Sequence, residues 1–140
     1  MRAYPIYAVI SEKLQALTVL GMANSRMKDY YDLWTFAACA EICGSILVTA
    51  IQATFERRET PIPTELPMGL TTEFAGDEEK VRQWKAFTEK IEADPPNPAL
   101  DNVVAVLREF LCPALGAARS SAEKFDQIWQ PGGPWVRPFD

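Results

Sequence analysis

The stretch that decides the architecture is Gly21-Met22-Ala23-Asn24-Ser25-Arg26-Met27-Lys28-Asp29-Tyr30-Tyr31-Asp32-Leu33-Trp34. It reads as the stop of one helix, a polar link and the start of a second. Before it, Ile6, Val9, Ile10, Leu14 and Leu17 recur at spacings of three and four, the mark of an amphipathic helix that Gly21 is placed to end. After it, Met27, Tyr30, Tyr31, Trp34, Ala37 and Ala38 return to one face. Asn24 or Ser25 offers a capping oxygen, and Asp29 puts negative charge in the first turn. Two helices joined by so short a link predict an antiparallel hairpin.

The same period continues outward. Gly44-Ser45 reads as a stop followed by a cap, opening a helix to about Arg57 with Leu47, Ala50, Ile51, Thr54 and Phe55 inward. Pro61, Pro63 and Pro67 make residues 60–67 an extended connector and the expected internal sub-boundary. Asp77 caps a helix running to about Glu92, with Glu78-Glu79 complementing its dipole and Val81, Trp84, Phe87 and Ile91 inward, ended by Asp94-Pro95-Pro96-Asn97-Pro98. A further helix spans Ala99 to Leu111, with Pro113 as its kink or interruption, and residues 120–130 read as a last short helix around Phe125, Ile128 and Trp129. The expected fold is all-α: five or six helices in an irregular bundle, with Arg2 to Tyr7, interrupted by Pro5, as the one candidate for a short N-terminal edge strand.

Composition narrows the chemistry. The 140 residues, 48% hydrophobic and 24% charged, suit one domain with a core of its own. There is no histidine, which removes Ser-His-Asp and Cys-His nucleophiles and His-ligated zinc. Cys39, Cys43 and Cys112 are an odd number at no metal-ligand spacing; with no signal peptide and no apolar run of about 18 residues recognised, a reducing, cytoplasmic setting and no membrane partner are expected. Cys39 and Cys43, one helical turn apart, read as small buried thiols rather than a redox pair. The net charge of −5 is uneven, since residues 1–28 carry +3 and the remainder −8, so an anion is received at the first end. No Gly-rich phosphate loop occurs.

One cluster can carry chemistry: Glu12-Lys13 on the first helix with Arg26, Lys28, Asp29 and Asp32 at the start of the second. Asp29 and Asp32, three apart, share a helix face, and Lys28 and Asp32, four apart, adjoin it. Lys13 and Arg26 can hold a triphosphate while Asp29 accepts a proton or orients a metal. Spacing alone favours the blander reading, in which Asp29 complements a helix dipole and Lys13 and Asp32 form a structural ion pair. The aromatics Tyr30, Tyr31, Trp34 and Phe36 read as core rather than a base-stacking platform. Trp129 and Trp135 either pin the tail over the bundle or cover a neighbouring domain.

Tyr4-Pro5 and Ser11-Glu12-Lys13-Leu14-Gln15-Ala16-Leu17, followed by Gly21 to Trp34, closely resemble the AbiEii/AbiGii nucleotidyltransferase-like toxin family, as do Ala53-Thr54-Phe55-Glu56-Arg57-Arg58 with Thr60-Pro61 and, more weakly, Phe125-Asp126 with the Trp129-to-Trp135 tail. The resemblance implies a type IV toxin–antitoxin or phage abortive-infection role. It also implies NTP (GTP the expected one) and magnesium as cofactors, RNA such as tRNA as acceptor, and a genomically linked antitoxin as partner. It makes Lys13 and Asp29 the catalytic candidates. Lys13, Arg26, Lys28 and Asp32 become the nucleotide-binding set, with Arg26, Lys28 and Asp32 still open to the structural reading.

The family's first domain, of DNA-polymerase-β-like fold, carries a Gly-Ser turn and a metal-binding aspartate pair, and no such motif occurs here. The expectation is therefore that residues 1–140 are the helical C-terminal part of such a toxin. Such a part has no metal ligands of its own, binds neither NTP nor magnesium tightly, is inactive alone, and is completed by a separately encoded N-terminal domain. The alternatives are a non-catalytic helical interaction module or a decayed gene fragment.

Overall fold

Helix α1 (Pro5–Leu20) begins on a proline, whose fixed φ and missing N–H suit the first helical position. That position overturns the edge-strand expectation for Pro5 to Tyr7; Arg2 to Tyr4 lie outside the described residues. The computed structural model describes residues 5–93, 96–120 and 125–138. After a 3-10 turn at Gly21–Ala23 come α2 (Met27–Cys39), α3 (Gly44–Arg57), α4 (Thr72–Gly76), α5 (Glu78–Thr88) and α6 (Leu100–Arg119).

The architecture is mostly α, as expected, but the helices are not all the expected ones. Helix α4, capped by the Thr71 hydroxyl accepting from Phe74 N–H, falls where no helix was expected. Residues 125–130 form no helix; Ile128–Trp129 are instead a strand, and residues 121–124 lie outside the described set. That strand, β2, pairs antiparallel with β1 (Ile42–Cys43) and β3 (Trp135–Val136). Two-residue strands carry no alternation to read, so the period-2 signal failed for want of length.

Helix α6 is the axis of the molecule. Helices α2, α3 and α4 pack on it, while α1 packs principally on α3 and meets α2 less extensively than a simple hairpin would require. Its stripe of Leu100, Val103, Val104, Leu107, Phe110, Leu111, Ala114, Leu115 and Ala118 is buried throughout. The helix runs through Pro113 without ending. Pro113 leaves the Glu109 carbonyl without its helical partner, but both residues are exposed, so water can satisfy that oxygen.

Several finer expectations are corrected by packing. Gly44 opens α3 rather than stopping a helix, and the N-cap is Cys43, not Ser45. The reason is the tail: Gly44 N–H donates to the Gln127 carbonyl at 2.7 Å, and a Cβ at Gly44 would lie 2.6 Å from the Phe125 ring. Cys39 is exposed and Cys43 half-buried, so the pair is not a buried thiol face. Helix α5 ends at Thr88 rather than near Glu92; its Val81 is exposed and Lys80 buried instead. Val9 on α1 is exposed too.

Among the described residues, Pro5–Ala23 is long and apolar enough by composition to cross a membrane, contrary to the expectation that no such run exists. Here its Tyr7, Ile10, Leu14 and Leu17 enter the core, and Glu12 and Lys13 at its centre meet charges on other elements.

Candidate functional site

The cluster forms because the turn between α1 and α2 is tightly fastened. Asn24 is buried, its side-chain oxygen accepts Arg26 N–H at 2.9 Å, and its backbone carbonyl accepts from buried Lys80 Nζ at 2.7 Å. Asn24 thus caps the backbone two residues on, while the N-cap position itself falls on Arg26, which makes no side-chain cap. Lys80 also lies over the Phe74 ring, 5.5 Å from its centroid. Phe74 in turn stacks on Tyr30, whose hydroxyl donates to the Gly69 carbonyl at 2.8 Å. Burial pushes the Tyr30 hydroxyl far above its ordinary value, so it stays protonated as a donor. Tyr31 and Trp34 are half-buried, Tyr31 meeting Trp84 and Phe87, so these rings are packing and not an open stacking surface.

On this support the expected site residues converge. Lys13 Nζ donates to Asp29 Oδ1 at 2.8 Å and lies 3.2 Å from Asp32 Oδ2. The Lys13 and Asp29 side chains are only 19% and 11% exposed, so the pair is set into the surface rather than lying on it. Arg26 Nε approaches the other Asp29 oxygen at 3.3 Å, and Lys28 Nζ reaches Asp32 Oδ2 at 2.7 Å from a solvent-facing position. The Lys13–Asp32 ion pair of the blander reading is formed, and Lys13 pairs with Asp29 as well.

Glu12 turns the other way. Its two oxygens receive Arg57, at the end of α3, and Arg58, whose Nε lies 2.7 Å away. Sequence reasoning missed this triad because its members are 45 and 46 positions apart. The one local signal is that Glu12 and Lys13 put two charges at the centre of a mainly apolar helix.

The charges set one another. Burial alone pushes the Lys13 ammonium down, but hydrogen bonds and charge from Asp29 and Asp32 outweigh it and hold Lys13 above its ordinary range. Burial pushes the Asp32 carboxyl up, and Lys28 and Lys13 more than reverse that. Glu12 likewise lies below its usual value because Arg58 and Arg57 overcome its desolvation. Counting Lys13, Arg26, Lys28, Arg57 and Arg58 against Glu12, Asp29 and Asp32, the cluster carries +2 on a chain of net −5.

An open groove of about 300 Å³ runs over it, lined by Ala8, Val9, Glu12, Lys13, Ala16, Arg26 and Asp29. An apolar cleft of about 470 Å³ adjoins it between α1 and α3 and ends at Arg57. The groove can receive an anion against Lys13 and Arg26. It does not fit a divalent metal: Asp29 and Asp32 are already engaged by cations, and among the described residues no three carboxylates or thiols converge.

The remaining singled-out residues hold the tail. Trp129 Nε1 donates to the Ala37 carbonyl at 2.8 Å and Trp135 Nε1 to that of Phe110 at 3.0 Å, which pins residues 128–136 over the bundle.

The family model described as nucleotidyl transferase AbiEii toxin, type IV TA system, matches residues 1–106 of the 140, which includes every residue of the charged cluster. No curated protein and no solved structure matches the chain.

Proposed function

The chain belongs to the AbiEii nucleotidyl transferase toxin family of type IV toxin–antitoxin systems, and from that premise we propose that Lys13 and Asp29 are the helical contribution to a nucleotidyl-transfer site. The family implies an NTP donor, a divalent metal and an antitoxin partner. In this reading Lys13 neutralises phosphate charge as pyrophosphate leaves, and Asp29 orients or deprotonates the attacking hydroxyl of an RNA acceptor. GTP is the expected donor. Arg26 aligns the second Asp29 oxygen, and Asp32 with Lys28 keeps the Lys13 ammonium in place. Because Asp29 and Asp32 do not form a metal site, the metal-holding carboxylates come from another polypeptide segment laid over the groove, and these residues by themselves do not complete transfer.

The observation that carries the reading is the Lys13–Asp29 contact, made from two elements, set into the surface and open to a groove on one side. Titration of the chain with GTP, followed by backbone amide shifts, tests it. Binding on the order of millimolar, centred on residues 8–32, is expected; it is lost in Lys13→Ala and kept in Asp29→Asn. Equal shifts in wild type and Lys13→Ala, with the fold intact by circular dichroism, would sink the proposal.

The apolar cleft between α1 and α3 favours a second reading, a non-catalytic interaction module. Absence of any nucleotide effect together with concentration-dependent self-association would favour that one.

A further inference from the structure

We propose that Arg57 and Arg58 form a phosphate-binding element for a polynucleotide strand that crosses α1, with Glu12 as the counterion that the strand displaces. The choice of a polynucleotide rests on the transfer reading above; the anion site rests on geometry. One carboxylate faces two guanidiniums that are 61% and 55% exposed, leaving a net positive charge and several N–H donors turned to solvent. A carboxylate and a phosphate oxygen pair engage the arginine fork in the same way, so Glu12 occupies the position a phosphate would take.

The arginines are also held in place. Helix α3 ends in a Schellman turn, with Thr60 N–H to Phe55 O and Glu59 N–H to Glu56 O, and Glu59 adopts a φ of +49° that usually calls for glycine. Thr60 Oγ1 donates to the Arg58 carbonyl and accepts from Gln15 Nε2 of α1 at 2.9 Å, which ties the turn to α1.

Extent selects the ligand. Glu12 and Lys13 are consecutive on α1 and so point about 100° apart, one toward the arginines and the other toward α2. A ligand that meets both cationic sets needs phosphates at intervals, and the cleft ending at Arg57 gives a sugar or base an apolar wall of Tyr7, Ile46, Ala50 and Ala53.

Fluorescence anisotropy of a labelled 12-nucleotide single-stranded RNA against the intact chain, at 50 and 200 mM salt, tests this. For the double variant Arg57→Gln/Arg58→Gln, a weaker complex and a salt slope shallower by about one to two are expected. Glu12→Gln is expected to tighten binding about fivefold, because it removes the competing anion; a purely structural clamp would predict no gain. No binding by wild type, or unchanged binding in both variants with the fold intact, overturns the proposal. Equal binding of poly-glutamate would assign the surface to an acidic polypeptide and also overturn it. GTP titration of Lys13→Ala, run separately, tells failure of the transfer reading apart from failure of this one.

Discussion

Among single residues, burial and charge decide which ones respond to pH. Glu12 and Asp32 are held below their ordinary values of 4.5 and 3.8, so the stability they contribute is complete above those values and is lost as pH falls through the lower folded ones. Lys13 is held above 10.5, so its contribution is complete below that value and is lost as pH rises through the folded one. Each contribution is about 1 kcal/mol or less, because the groups are partly solvated. Urea titrations at pH 3, 5 and 7 are expected to show an acid decline that flattens in Glu12→Gln/Asp32→Asn. Lys13 and Asp29 were legible in sequence because the motif around them is local. The Glu12–Arg57–Arg58 triad was not, because α1 and α3 had first to be brought side by side.

Helix by helix, the instructive features are the ends and the interruptions. Asp77 was readable as a cap, and its carboxylate accepts Lys80 N–H at 3.1 Å. The end of α3 was less readable, because a glutamate occupies the left-handed position that the turn reserves for glycine. Glu59→Gly is therefore expected to raise stability by about 0.5–1 kcal/mol, the relief of strain exceeding the added unfolded-state entropy; chemical denaturation measures it. In α6, of the kink or interruption expected at Pro113, the interruption does not occur, because buried Ala114, Leu115 and Ala118 beyond it keep the helix on the core. Restoring the missing N–H with Pro113→Ala is expected to stabilise by about 1–3 kcal/mol. A lowered denaturation midpoint would show instead that the helix depends on its proline.

Across the whole molecule the C-terminal segment closes the core. Trp129 is fully buried against Phe110, with ring centroids 4.9 Å apart, and holds the Ala37 carbonyl at the end of α2. Trp129→Ala is expected to cost about 3–5 kcal/mol and to lower the thermal midpoint by about 10–20 °C. A shift of only a few degrees in a thermal melt would mean that the tail is dispensable to the core.

Helical character, the lack of histidine chemistry, the constellation of Lys13 with Asp29, and the family were all readable from the amino-acid order. All of these are written in local periodicity, composition and contiguous motif. Long-range packing settles that Glu12 serves the arginines rather than Lys13's partners, that Lys80 rather than Val81 turns inward, and that Ile128–Trp129 is a strand. Those outcomes depend on which distant surface each residue meets. Desolvation and cross-element hydrogen bonding set them, and neither leaves a mark at short range in the chain.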